Sequence, residues 1–138
     1  MIREFRGEYF FLSNFYNAPV TWEGVTYRNN EAAFQAAKCI DVRDRTKFSQ
    51  LDASSAKRLG RQIPLRSDWE KIKFRVMQEI CFAKFTQNPH LRAKLIATGS
   101  QYLEEGNTWG DCIWGTVNGQ GQNMLGKILM GVRAKLSV

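Results

Sequence analysis

In the first third of the chain, apolar residues come in short runs broken by turn-forming residues. Val20-Thr21-Trp22 and Val25-Thr26-Tyr27 flank Glu23-Gly24, and two central residues ending in glycine suit a tight hairpin turn. Val20, Trp22, Val25 and Tyr27 then share one face, with Thr21 and Thr26 on the other. Upstream, the apolar run Tyr9-Phe10-Phe11-Leu12 predicts one more strand. Beyond residue 28 the spacing becomes helical. Asn29 or Asn30 can cap a helix running to about Cys39. Ser54 or Ser55 starts a short helix ending at Gly60. Ser67-Asp68-Trp69-Glu70 matches a capping box, and Trp69, Ile72, Val76, Met77 and Ile80 follow at helical spacing. That helix stops near Asn88, because Pro89 cannot continue it. Asn88-Pro89 starts another helix, which Gly99 closes. A last helix carries Leu125, Ile128, Leu129, Val132 and Leu136 on one stripe. No repeat, low-complexity tract or linker interrupts this order. The pattern predicts a mainly α protein with a small antiparallel β-sheet, an α+β fold in one domain over residues 1–138.

The periodicity breaks between Gln101 and Gln122. Trp109 and Trp114 stand there among glycines and acidic residues. Tryptophan is rare in loops because it is large and apolar, so two of them suggest the wall of a pocket, the alternative being rings folded back on the core. Gly119-Gln120-Gly121-Gln122-Asn123 leads into the last helix, and free amides at a helix start attract phosphate. A plain loop and cap is the equal alternative. No Gly-Lys-Ser/Thr follows, so this is not a Walker A loop.

Composition and charge narrow the chemistry. The 138 residues are 43% hydrophobic and 12% aromatic, enough for a core and unlike a disordered chain. Twenty Lys and Arg against thirteen Asp and Glu give a net charge of +7. That excess favours anionic partners, whether nucleic acid, phosphorylated metabolites or acidic membrane surfaces; a plain solvated surface explains it equally well. Cys39, Cys81 and Cys112 are widely spaced and His90 is the lone histidine, so no zinc pattern exists and no metal or cofactor is expected. The cysteines read as reduced core residues. The start, Met1 to Arg6, mixes charges where a signal peptide needs an apolar stretch. No run of eighteen apolar residues occurs, so no membrane partner is expected. Together these point to a cytoplasmic protein.

Two groups could carry chemistry. Glu31, Gln35 and Lys38 lie at i, i+4 and i+7 on one helix face, with Phe34 and Ala37 on another and Ala33 beside them. A carboxylate, an amide and an ammonium in a row can bind a ribose phosphate, but spacing alone favours an ordinary wet surface. Glu104, Glu105 and Asp111 form the second group. A carboxylate beside Trp109 or Trp114 is partly desolvated, which suits acid–base work.

Several blocks, taken in order, resemble the YbiA-like, or NADAR, family. They are Phe11-Leu12-Ser13-Asn14-Phe15; Tyr27 with Glu31-x-x-x-Gln35-x-x-Lys38; Trp69 with Arg75-x-Met77; Trp109-Gly110-Asp111-x-x-Trp114-Gly115; and Asn123-x-Leu125-Gly126-x-x-Leu129-Met130-x-x-Arg133. The resemblance covers essentially the whole chain. It implies a mainly helical fold and hydrolysis of a ribose C1–N bond, either in phosphoribosylamino-pyrimidine intermediates of riboflavin synthesis or in guanine bases carrying ADP-ribose. A binding module for ADP-ribose-like ligands without turnover is the non-enzymatic alternative. The resemblance implies catalytic positions at Glu31, Lys38, Glu105 and Asp111, and aromatic substrate contacts at Trp69, Trp109 and Trp114. It also implies substrate-binding positions at Asn14, Phe15, Gln35 and Asn123. Many relatives have a shorter acidic segment without tryptophan where this chain has Glu105 to Asp111, so Glu104 and Glu105 both stand as the aligned acid. Carboxylates can stabilise an oxocarbenium-like state and activate water; alternatively, a lysine attacks C1 and forms a Schiff base. Glu31, Lys38 and Asp111 are expected to converge on one pocket.

Overall fold

Glu23 and Gly24 adopt left-handed backbone angles, φ 47° and 83°, the pair that a twisted two-residue hairpin turn requires. They join β1 (Asn17–Trp22) to β2 (Val25–Asn29). The register pairs Val20 with Tyr27, Thr21 with Thr26 and Trp22 with Val25. The threonine hydroxyls meet at 2.7 Å on the open face, and Val20, Trp22 and Tyr27 are buried on the other. The computed structural model describes all 138 residues. It divides into two compact units, one of Asn14–Asn88 and one of Met1–Ser13 with Pro89–Val138.

The first unit adds four helices to the hairpin: α1 (Asn30–Ala36), α2 (Val42–Thr46), α3 (Ala53–Gly60) and α4 (Trp69–Gln87). The Asn29 side chain caps α1 by accepting the Ala32 amide at 2.8 Å. The helix closes at Ala36, so Lys38 follows it in a turn. Helix α2, which the periodicity missed, is five residues long and capped by Asp41. Asp52, rather than Ser54 or Ser55, caps α3 by accepting the Ser55 amide at 2.7 Å. The capping box expected at Ser67–Glu70 does not form. Asp68 makes no side-chain cap bond, because Arg66 takes its carboxylate at 2.7 Å. Helix α4 ends at Gln87 as Pro89 dictates. Its terminal Gln87 accepts the Thr21 amide at 2.8 Å and donates to the Thr21 carbonyl at 2.9 Å, fastening α4 to β1.

The second unit holds α5 (Pro89–Ala97) and α6 (Met124–Leu136). Gly99, at φ 65°, ends the turn after α5. Leu125, Leu129, Val132 and Leu136 of α6 are buried. The strand expected over Tyr9–Leu12 is instead a 3-10 helix, Gly7–Leu12. Ile2 pairs in parallel with Leu103; its amide donates to the Tyr102 carbonyl at 3.0 Å, and its carbonyl accepts the Glu104 amide at 2.9 Å. No helix in the structure is long and apolar enough to cross a membrane.

Two buried groups in the first unit make stability depend on alkaline pH. Lys84, 1% exposed, lies 5.6 Å from the Tyr16 ring centre and 5.1 Å from that of Phe85. Burial lowers its ammonium to about 8. Tyr27 is pushed up to about 12, first by burial; its buried hydroxyl has no hydrogen-bond partner. Between pH 8 and the ordinary lysine value of 10.5, folded Lys84 sheds its proton while the unfolded chain keeps it, so stability rises with pH by on the order of 3 kcal/mol. Between pH 10 and 12 the unfolded tyrosine ionises first, so stability falls again. Urea unfolding across pH 7 to 12 should show the rise and the fall; Lys84→Met should abolish the rise, and Tyr27→Phe the fall.

Candidate functional site

Glu31 and Gln35 are not on a wet surface. All seven residues of α1 are buried, with Glu31 9% and Gln35 6% exposed. The reason is tertiary: α1 is packed by β2, α3 and α4, so the face that spacing left to water is covered. Gln35 Nε2 donates to Glu31 Oε1 at 2.8 Å. The Glu31 amide donates to the Asn14 carbonyl at 3.0 Å. Asn14 Oδ1 accepts from Asn30 Nδ2 at 3.2 Å, and Asn14 Nδ2 donates to Met77 Sδ at 3.5 Å. Asn14 therefore sets the start of the helix that carries Glu31. Phe34 packs on Trp69 with ring centres 5.0 Å apart; Trp69 is 5% exposed. Lys57 Nζ stands 5.8 Å from the centre of the Phe15 ring.

Lys38 is half-buried. Burial is the main cause lowering its ammonium below the ordinary lysine range, nearby Glu31 pulls it back up, and Arg61 lowers it further. An amine made easier to deprotonate and set beside a carboxylate can serve as a nucleophile or hold an anion. Lys38 also borders a cavity of about 510 Å³, whose walls include Phe48, Leu59, Ile63 and Leu65 with Lys47 and Arg66. That volume is in the range of small-molecule sites. The Arg66 amide donates to the Lys38 carbonyl at 3.1 Å, fixing the turn after α1.

The second unit holds Glu105, Asp111, Trp109, Trp114 and Asn123, and polar side chains shape its long loop. Asp111 Oδ1 accepts the Ile113 and Trp114 amides at 3.0 and 2.9 Å, while the Asp111 amide donates to Asn107 Oδ1 at 3.0 Å. Asn107 Nδ2 donates to the Asp111 carbonyl at 2.8 Å. Asp111 thus organises the turn that presents Trp114. Trp109 is 55% exposed and does not fold onto the core. The two candidate acids differ in their ties. Glu104 Oε2 accepts from the Thr116 hydroxyl, whereas Glu105 is held through its backbone, its amide donating to Asn123 Oδ1 at 3.0 Å and its carbonyl accepting the Thr116 amide at 2.9 Å.

Asn123 is 3% exposed and left-handed, φ 52°. Its Nδ2 donates to the Leu103 carbonyl at 2.9 Å and to the Tyr102 hydroxyl at 3.2 Å. Replacing it by alanine strips partners from the Leu103 carbonyl and the Glu105 amide, and removes the short polar side chain that lets asparagine tolerate left-handed backbone. Asn123→Ala should lower unfolding stability by about 2–4 kcal/mol, measured by urea denaturation; Asn123→Gly, which restores the backbone freedom alone, should cost less.

Of the two equal readings of Gly119–Asn123 the plain loop holds, and one expectation, a buried Cys112, is corrected. The start of α6 is not an open phosphate cradle: the Met124 amide donates to the Ile113 carbonyl at 3.0 Å and the Leu125 amide to the Trp114 carbonyl at 2.9 Å. The loop folds back and takes the amides a phosphate would need. Cys112 is exposed, unlike the buried Cys39 and Cys81, because it sits in this irregular segment. Three cations are buried that spacing did not place inside: Lys84, Arg45, which pairs with Glu23 at 2.9 Å, and Arg133, which donates to the Thr98 hydroxyl at 2.9 Å. The signal for Lys84 was its place after Met77 and Cys81, at i+7 and i+3 on the apolar face of α4.

Comparison with known proteins gives the family and the fold. The NADAR domain family model matches residues 3–137. The N-glycosidase YbiA of Shigella boydii is 39% identical over 131 residues, covering 92% of this chain and 81% of that protein. A riboflavin biosynthesis protein of Vibrio vulnificus is 41% identical over 130 residues, covering 91% of this chain and 35% of the larger protein. The NMR structure of YbiA from E. coli matches with a TM-score of 0.85 at 36% identity, over 99% of this chain and 83% of that one. The α+β fold with one small antiparallel sheet is thus that of YbiA. The chain belongs to the NADAR domain family and is an enzyme that hydrolyses N-glycosyl bonds.

Proposed function

We propose that the chain hydrolyses the ribose C1–N bond of a phosphoribosylamino-pyrimidine of the kind formed during riboflavin synthesis, releasing the free aminopyrimidine and ribose 5-phosphate. The observation that carries this reading is the pairing of a buried, amide-bound Glu31 with a half-buried Lys38 that feels its charge. Breaking the bond leaves positive charge on the sugar, which a carboxylate in a low-dielectric site stabilises strongly. Lys38 attacks C1 as the base departs with a proton; the opened ribose is held as a Schiff base until water releases it. The riboflavin biosynthesis protein among the relatives supports the choice of substrate.

A second reading, removal of ADP-ribose from guanine bases of nucleic acid, is favoured by the net charge of +7. The test is kcat/KM measured in parallel on a phosphoribosylamino-pyrimidine and on an ADP-ribosylated guanine oligonucleotide. The proposal requires the small substrate to be turned over more efficiently. Preference for the oligonucleotide selects the second reading, and turnover of neither overturns both.

A further inference from the structure

Gly60 is the last residue of α3 and is buried. Its backbone is not among the left-handed glycines, so conformation does not demand a glycine there. Space does. A first side-chain carbon built on Gly60 lies 1.9 Å from Gln35 Oε1, 2.6 Å from Gln35 Cδ and 3.1 Å from Gln35 Cβ. The Gln35 carboxamide fills the volume that any other residue at position 60 would need.

That carboxamide is held in one orientation. An ionised carboxylate only accepts hydrogen bonds, so the amide nitrogen must face Glu31 Oε1, 2.8 Å away. This leaves Gln35 Oε1 buried against Gly60 with no hydrogen-bond partner, an arrangement that costs about 1–3 kcal/mol. A glutamine free to turn would take its oxygen elsewhere. Close packing by α3 keeps it aimed, and the charge-assisted bond to Glu31 is what the arrangement secures.

We propose that Gln35 is a positioning residue for Glu31 rather than a contact to substrate, and that Gly60 is the residue whose missing side chain lets it act. This rests on the reading of Glu31 as the carboxylate that stabilises the cation developing on the sugar. The amide pins one carboxylate oxygen and so fixes the plane of the group against C1 of the sugar. A methyl at position 60 forces the amide aside and loosens the carboxylate two contacts away. Displacement of a reacting group by about an ångström is enough to slow chemistry severely.

The test is Gly60→Ala, Gln35→Ala and the double variant, assayed beside Glu31→Gln on the phosphoribosylamino-pyrimidine, with a crystal structure of Gly60→Ala. Gly60→Ala should fold, keep KM within about twofold, and lose on the order of tenfold or more in kcat. Its crystal structure should show Gln35 Nε2 beyond hydrogen-bond distance of Glu31. Gln35→Ala should lose a similar factor, and adding Gly60→Ala to it should cost nothing more, because the methyl then enters space the amide has left. Should Gly60→Ala fail to fold, Gln35→Ala alone decides: unchanged kcat, or a rise in KM with kcat intact, overturns the positioning role. Full turnover in Gly60→Ala beside an inactive Glu31→Gln overturns this inference alone, as does a crystal structure with the Gln35–Glu31 bond intact. Full turnover in Glu31→Gln overturns the reading on which it rests.

Discussion

Glu31→Gln is expected to fold normally and to lose about a hundredfold or more in kcat. The substitution keeps the shape of the side chain and leaves an oxygen that can still accept from Gln35 Nε2, so the buried network of Asn14, Asn30 and Gln35 survives. Near a helix start the negative charge is mildly favourable, and its loss should change unfolding stability by roughly 1 kcal/mol or less. What disappears is the charge facing the cation that develops on the sugar. That interaction strengthens in the transition state, so its loss appears in kcat with little change in KM. Losing one such electrostatic group typically costs on the order of a hundredfold. Steady-state kinetics with urea denaturation in parallel check both halves. A stable variant with near-normal kcat removes Glu31 from the chemistry and leaves the acids of the long loop.

Lys38→Ala is expected to reduce kcat by about a thousandfold or more, since removing an attacking group removes the covalent route itself. Burial already moves the Lys38 ammonium toward its neutral form, the form that can attack C1. Lys38→Arg separates this from phosphate binding: arginine keeps the charge but cannot act as a nucleophile, so it should be as inactive as alanine. Borohydride added during turnover should reduce the Schiff base to a stable amine and leave a ribosyl phosphate mass on the wild-type protein. Neither variant should carry it. If Lys38 only holds phosphate, KM rises, kcat survives, arginine rescues, and no adduct forms.

The elements with local causes were legible in the sequence. Glu23-Gly24 fixes the hairpin because both residues accept left-handed angles, Asn29 caps α1 through its own side chain, and Pro89 ends α4 by lacking an amide hydrogen. Elements decided by competition were not. The apolar run at Tyr9–Leu12 has no periodicity to tell a strand from a tight helix. The capping box at Ser67 fails because α4 begins one residue later, with Asp68 at the cap position and its carboxylate held by Arg66. The site shows the same division. Spacing placed Glu31, Gln35 and Lys38 on one face, yet only the packing of β2, α3 and α4 around α1 buries Glu31 and Gln35. Gly60 is unreadable in sequence, since its role is the volume it leaves to a residue twenty-five positions earlier. Asp111 and Asn123 stood out as polar residues in a loop, but their work in holding Trp114 and Glu105 needs coordinates to see.

The most direct test of the proposed reaction is product analysis. Wild-type protein is incubated with a phosphoribosylamino-pyrimidine, and the mixture is followed by mass spectrometry. The expected result is free aminopyrimidine and ribose 5-phosphate appearing in equal amounts over many turnovers, and neither accumulating with Glu31→Gln. Intact substrate after prolonged incubation with folded wild-type protein, or release of the base without ribose 5-phosphate, would contradict it.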